Sequence, residues 1–333
     1  MCIPRDSQRI VIAGASSLLG AELKSLLEES GFAGWDFSLL DEEIAVGTLT
    51  EAAGEPAVIL PVEDGSFTRA KFIFFTGSAA FTERNLPAAR QSGATVIDLS
   101  GASLNTPGVR VWFAMEGVGH NADKQEILYA IPSAPGLAAS KLLDALGPAG
   151  LSRLSLIFFR PVSEAGRHGI EELESQTTQL LSFQSAGQPV FDAQIAFNLL
   201  NRYGPGSREN LQSVRARIRS EAALAVGRNL VEPSIQVLHA PVFYAYTFVA
   251  IAEISSPQSQ DALLAICRKA GFALDAEASV PLGNLSASGD SAIHLAFPES
   301  DPAQSNTWWL WGTADNLRLP ASTAVKLAEK LVE

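Results

Sequence analysis

Short β-branched runs alternate with helical spacings through the first third of the chain. Residues 9–14 read RIVIAG, and such an uninterrupted apolar run predicts a strand buried on both faces. The spacing then changes. In SLLGAELKSLLEESG the positions Leu18, Leu19, Leu23, Leu26 and Leu27 recur with helical period, and Gly31 follows as a stop. Further strands are predicted over WDFSLL, at Ala57–Leu60, at Phe72–Phe75 and at Thr95–Asp98, with a helix through ERNLPAARQSG. Strands alternating with helices imply a doubly wound parallel sheet. The middle of the chain reads differently. Strands at Leu154–Phe159 and Val242–Ile254 flank two long helical segments, Gly169–Ser182 and Arg208–Val226, a pattern expected of an α+β domain with an open sheet. ASTAVKLAEKLVE closes the chain as an amphipathic helix.

Composition narrows the function classes. The 333 residues suggest two domains at roughly 150 residues each. With 24 Lys and Arg against 36 Asp and Glu, the net charge of −12 argues against a nucleic-acid surface, which needs excess positive charge. No apolar run approaches the roughly 20 residues that span a bilayer, and the start carries no secretory pattern, so a cytoplasmic protein without a membrane partner is expected. Cys2 and Cys267 make no disulfide framework, and no Cys/His cluster has metal spacing, so no metal is expected.

The first strand–helix junction runs Gly14-Ala15-Ser16-Ser17-Leu18-Leu19-Gly20. A nucleotide-binding turn usually carries a further glycine in the middle, which lets backbone N–H groups approach a pyrophosphate. Ser17 stands there instead. The turn therefore reads either as a cofactor site or as a tight junction without a ligand. Asp41, Glu42 and Glu43 follow the second predicted strand. A carboxylate here suits a ribose hydroxyl and repels a 2′-phosphate, which disfavours NADP; a solvated acidic loop is the alternative.

Seven stretches, in order, resemble the aspartate-semialdehyde dehydrogenase family. The glycine turn resembles its G-A-T-G-x-V-G. Phe75-Thr76-Gly77-Ser78-Ala79 resembles S-A-G-G-S, and Val96-Ile97-Asp98-Leu99-Ser100 resembles V-I-D-N-S/T. Ser163-Glu164-Ala165-Gly166-Arg167-His168-Gly169 resembles S-G-A-G-R/K-x-G. Ile195-Ala196-Phe197-Asn198-Leu199-Leu200 resembles I-A-F-N-V-I, Ala240-Pro241-Val242-Phe243-Tyr244 resembles V-P-V-F-Y, and Asp315-Asn316-Leu317-Arg318 matches D-N-L-R. The resemblance implies a Rossmann-type domain over 1–132 plus 316–333, an inserted α+β dimerisation and substrate domain over 133–315, and a homodimer. It implies NAD(P), held through Gly14, Ser16, Ser17, Leu18, Gly20, Gly77 and Ser78. The implied reaction is reduction of an aspartyl phosphate to its semialdehyde, or the reverse, by a cysteine nucleophile and a histidine.

The chain departs from that pattern at the positions that carry the chemistry. In Ala130-Ile131-Pro132-Ser133-Ala134-Pro135-Gly136, Ala134 stands where A-N-P-N-C-S-T places its cysteine, and a methyl group cannot attack a carbonyl. Ser133, one residue earlier, is a weak candidate nucleophile. Tyr246 replaces the histidine, and a phenol is a poor base near neutrality. His239 falls where the family usually carries an arginine. Phe159-Arg160 replaces its Y-Q, Leu104 falls at a phosphate-binding arginine, and Glu221 survives from an E-T-x-K pair whose lysine reads Leu224. Arg160, Arg167, His168, Glu221 and His239 could still line a cleft. Arg160 reads either as an anion-binding guanidinium or as an ion-pair partner of Glu164 or Glu221. Trp308, Trp309 and Trp311 suit an interface strand, and Tyr244 and Tyr246 are expected on one strand face.

Three functions fit these residues. The first is a non-catalytic homologue that binds a ligand or modulates a partner. The second is an active NAD(P)-dependent semialdehyde dehydrogenase with rewired residues. The third is an enzyme of different, non-covalent chemistry on the same fold.

Overall fold

The computed structural model describes residues 8–42, 47–52, 55–113, 127–226, 231–256, 258–274 and 281–333. Cys2 and Glu43 lie outside them. The chain divides into two compact units, one of residues 1–114, 119–132 and 320–333, the other of 115–118 and 133–319.

The first unit contains β1 (Arg9–Ala13), α1 (Leu18–Glu28), β2 (Asp36–Asp41), β3 (Leu49–Ala52), β4 (Glu55–Val58), β5 (Leu60–Pro61), β6 (Phe72–Phe75), α2 (Ala79–Gln91), β7 (Thr95–Asp98), β8 (Arg110–Val111) and β9 (Leu128–Ala130). Seven strands form one parallel sheet in the order β5-β2-β1-β6-β7-β9-β8. Because successive residues point to opposite faces, Ile10, Ile12, Phe72 and Phe74 bury on one side with Leu23, Leu27 and Leu327. Val11, Ala13, Ile73 and Phe75 bury on the other with Phe81 and Leu86. Burial on both faces is why these strands read as unbroken apolar runs. The strand expected at Ala57–Leu60 is divided. Val58 pairs with Leu49 in the β3–β4 hairpin, whereas Leu60 pairs with Leu40 in the main sheet. Ile59 turns between them with its amide on the Thr48 carbonyl.

The second unit contains α3 (Ala134–Leu146), β10 (Leu151–Arg160), α4 (Gly166–Leu181), α5 (Leu211–Val226), β11 (Ser234–His239), β12 (Tyr246–Ile254), α6 (Gln260–Lys269), β13 (Ala273–Leu274), α7 (Asn284–Ala287), β14 (Ile293–Leu295), β15 (Glu299–Ser300) and β16 (Thr307–Ala314); α8 (Arg318–Val332) follows. Its mixed sheet runs β11-β10-β12-β16-β14-β13, with β15 on β16. Leu154, Leu156 and Phe158 of β10 and Phe248, Ala250 and Ala252 of β12 form a buried face against which α3 packs. Gly312 is required there, since a Cβ would stand 2.2 Å from the Phe248 ring. The opposite face is partly open. Ile157, Val249 and Trp311 form one row across three strands, and Ile251 and Trp309 lie side by side in another. Trp309 and Trp311 remain 40% and 37% exposed, while Trp308 points into the core.

Val242–Tyr244 does not join β12. Ala245 adopts φ 64°, which ends the extended backbone between Tyr244 and Tyr246. Tyr246 is therefore buried and Tyr244 exposed, not on a shared face as expected.

Candidate functional site

Within the second unit, chain topology gathers polar side chains onto the buried face of the sheet. Arg160 ends β10 beside His239, which ends β11 in parallel register. One step beyond the Phe159–Thr247 pair, the antiparallel register sets Arg160 opposite Tyr246, the first residue of β12. In-register neighbours share a face. His239, Arg160 and Tyr246 therefore form a polar row, and all three are buried.

Tyr203 and Glu209 complete the row. Arg160 Nη1 donates to Tyr203 Oη at 3.1 Å, and Nη2 donates to Glu209 Oε2 at 2.6 Å. The partner of Arg160 is thus Glu209, not the Glu164 or Glu221 expected from sequence. The long loop after α4 delivers this carboxylate, and sequence distance does not disclose that. Tyr203 Oη accepts from Arg160, so its single hydrogen serves His239 Nδ1, 3.2 Å away. His239 then carries its own hydrogen on Nε2. Two buried atoms in the row have no hydrogen-bond partner among the described residues: Arg160 Nε and Tyr246 Oη.

Burial governs the protonation of these groups. It opposes the charge on Arg160, yet the guanidinium pKa is raised overall, with the carboxyl groups of Glu209 and Glu164 beside it. Burial also holds the Tyr246 phenol well above its ordinary 10, which removes it as a base near neutrality. It pushes the His239 imidazole down to about 4; Arg160 acts in the same direction and the Ile195 carbonyl opposes. An unfolded histidine titrates near about 6.5. As pH falls from about 6.5 to about 4, the unfolded chain therefore takes up a proton that the folded chain refuses, and stability decreases by about 3 kcal/mol. His239→Gln should flatten that part of the stability profile in urea unfolding between these pH values. An unchanged slope would assign the acid sensitivity to other groups.

The loop before α3 carries Ser133 and leads into Ala134. Ser133 caps the helix, and Ala134, its first residue, is 1% exposed. The Ser133 hydroxyl donates to Glu221 Oε2 at 2.5 Å, and its amide donates to Glu221 Oε1 at 3.1 Å. Arg217 Nε also donates to Oε1, at 2.7 Å. The surviving Glu221 is thus buried and committed to the loop. A Cβ on Gly136 would stand 2.1 Å from its Oε2. The i,i+4 spacing of Arg217 and Glu221 on α5 was the available signal for this pair. Leu224, where a lysine was sought, is exposed.

Asn316 joins three of the motifs. Its Oδ1 accepts from the Ala245 amide at 2.9 Å, and its Nδ2 donates to Ser163 Oγ and Glu164 Oε1, each at 3.1 Å. Arg167 and His168 do not share this arrangement. Both are exposed at the start of α4, where His168 meets Glu171.

The first unit presents its loops at the point where strand order reverses, between β1 and β6, the usual ligand position in such sheets. Gly14 has φ +99°, and a Cβ there would lie 2.1 Å from Gly77 N. Ser17 caps α1, with its hydroxyl donating to the Thr76 carbonyl and accepting from Gly20 N, both at 2.9 Å. Leu18 is the first residue of α1, and Ser78 caps α2. Ser16 N donates to Asp41 Oδ2 at 2.7 Å, and Glu42 N donates to Asp41 Oδ1 at 2.8 Å. Glu42 pairs with Arg84 at 3.1 Å. Among the described residues, no cluster of three or more His, Cys, Asp or Glu could hold a metal, and no helix is long and apolar enough to cross a membrane. Cys267 is buried in α6, away from any role as a nucleophile, and burial pushes its thiol up to about 11.

Residues 142–319 match the family described as semialdehyde dehydrogenase, dimerisation domain. The chain is 28% identical over 327 residues to a protein of Azotobacter vinelandii named USG-1 protein homolog, covering 97% of each. It is 25% identical over 334 residues to the aspartate-semialdehyde dehydrogenase of Shewanella violacea, again covering 97% of each. The solved structure of a probable aspartate-semialdehyde dehydrogenase from Pseudomonas aeruginosa superposes with a TM-score of 0.86 at 26% identity, over 98% of both chains. Aspartate semialdehyde dehydrogenase II of Vibrio cholerae shares the fold, with a TM-score of 0.87 at 22% identity over 97% of this chain and 98% of that one.

Proposed function

The chain belongs to the semialdehyde dehydrogenase family through its dimerisation domain, and we propose that it is a catalytically degenerate, homodimeric, cytoplasmic member that acts by binding rather than by covalent turnover. One observation carries this reading. Ala134 occupies the first position of α3, where the aligned cysteine would sit, and its methyl group offers no electron pair. Ser133 lies one residue earlier as the cap of α3, where its hydroxyl also accepts from Gly136 N, so it does not replace the thiol. Tyr246 stays protonated, so no base replaces the histidine. A nicotinamide dinucleotide would be held by the turn from Gly14 to Gly20 with Asp41 at its ribose, and would supply hydride exchange. NADP is disfavoured by Asp41 and Glu42. The decisive assay is phosphate-dependent oxidation of aspartate semialdehyde with NAD or NADP, in which no turnover is expected.

The second reading, a non-covalent enzyme on this fold, draws on the polar row. Two buried groups with free hydrogen-bonding atoms, Arg160 and Tyr246, exceed what a plain core needs.

Homodimer formation is proposed through the open sheet face, where Ile157, Val249, Ile251, Trp309 and Trp311 gather apolar surface on three adjacent strands. Trp311→Glu places a charge in that patch. It should convert a dimer to a monomer in size-exclusion chromatography with light scattering, and a dimer that persists would move the interface elsewhere.

A further inference from the structure

We infer that Arg202 and Arg215 form a site for a dianionic phosphate group, carried by a small molecule or free in solution. The site lies between α5 and the edge strand β11. It uses none of the residues of the polar row or the glycine turn, and it does not rest on the reading proposed above.

The arginines of α5 set the contrast. Arg217 pairs with Glu221 at 2.7 Å and Arg219 with Glu232 at 3.7 Å. Arg215 meets an amide instead, its Nη1 donating to Gln236 Oε1 at 2.9 Å. That oxygen also accepts from Val237 N at 3.2 Å, so the Gln236 side chain has only its N–H groups left to offer. Arg202 likewise has no carboxylate partner among the described residues. It lines a second cavity, of about 450 Å³, with Asp192, but that carboxylate accepts from Gly206 N at 2.8 Å and makes no ion pair with it.

Arg202 and Arg215 line one cavity, of about 270 Å³, with the amide side chains of Asn201, Gln212 and Gln236 and no acidic residue. Its wall carries two positive charges and a surplus of N–H donors. Like charges gathered in one recess repel, and a counter-anion relieves them. The chain as a whole is acidic, at −12, so the recess opposes the general field. The terminus of α5 is not the source, because Gln212 N and Ser213 N are taken by Asn210 Oδ1 at 2.8 and 3.3 Å. Charge then selects the anion. A single carboxylate matches one guanidinium and leaves the other. A phosphate group carries about two negative charges near neutrality, and its oxygens suit the planar forks of both arginines. The volume falls just short of the roughly 300–1,000 Å³ of drug-sized ligand sites, so it suits a phosphate with a short carbon skeleton or none.

The test titrates the full chain, in a phosphate-free buffer, with inorganic phosphate, glycerol 3-phosphate and glycerate, followed by calorimetry. One phosphate at least should bind about tenfold more tightly than glycerate, its single-carboxylate counterpart. A tighter glycerol 3-phosphate names a phosphate monoester as the source, and equal affinities name free phosphate. Arg202→Gln and Arg215→Gln each remove one charge and keep a polar side chain. Each should weaken phosphate binding by about tenfold while leaving the thermal midpoint of the unliganded protein undiminished, because neither guanidinium pairs with a carboxylate. Glycerate binding as well as the phosphates, no saturable phosphate binding up to about 20 mM, or unchanged affinity in either variant would each overturn the inference. The two readings fail separately. Semialdehyde turnover would remove the non-catalytic reading and leave this site standing, whereas phosphate that ignores both arginine variants, without turnover, would remove only this inference.

Discussion

Supplied with aspartate β-semialdehyde, phosphate and either NAD or NADP, the protein is expected to yield no reduced dinucleotide above background. Losing the nucleophile of a concerted catalytic group typically costs on the order of 10⁶-fold in rate. On the proposed reading Tyr246 also stands in place of the base. The Ala134→Cys, Tyr246→His double variant is expected to stay inactive, and the reasons are geometric. On the same reading Arg160 stands in place of the orienting amide, and it is fixed by Tyr203 and Glu209. Leu104 is buried and apolar where a phosphate-binding arginine was sought. On the proposed reading, the groups that would align a thioester and grip its leaving group are absent, and restoring two residues supplies neither. Absorbance at 340 nm under saturating phosphate reads the outcome. Turnover well above background that disappears on mutating Ser133 or Arg160 would overturn the degenerate assignment.

Gly14→Ala is expected to destabilise the first unit by about 4 kcal/mol, through two additive costs. A φ of +99° is strained for any residue with a Cβ. The new methyl would also stand 2.1 Å from Gly77 N and 2.4 Å from Gly77 Cα. Both are backbone atoms in the loop after β6 and cannot turn aside as a side chain would. Gly31→Ala, which meets nothing within 4 Å, is the matched control. Denaturant unfolding of the two variants should separate them widely. Near-equal midpoints would mean that the close approach of the two loops does not govern stability.

The parallel sheet was legible because its strands are buried on both faces. RIVIA, FIFF and TVID leave no alternative spacing that buries them as well. Ala57–Leu60 misled because one apolar run serves two ladders, and only pairing partners decide where it divides. Tyr244 and Tyr246 misled for a local reason: a left-handed Ala245, held through its amide by Asn316, breaks the two-residue alternation. At the site, the absence of a thiol at Ala134 was readable from residue identity alone. The assignment of Arg160 to Glu209 was not, because 49 residues separate the partners and the sequence pointed to Glu164 or Glu221 instead.

Sequence by itself determined the strand and helix pattern, the acidic balance and the chemical inventory of the nucleophile loop, since these depend on residue type and short-range spacing. Tertiary structure alone decided which polar groups meet. Parallel register brought His239 beside Arg160, and a loop distant in sequence delivered Tyr203 and Glu209. It also left Arg160 Nε and Tyr246 Oη without partners on a buried face. Hydrogen bonds act over about 3 Å, and only the folded chain fixes positions at that scale.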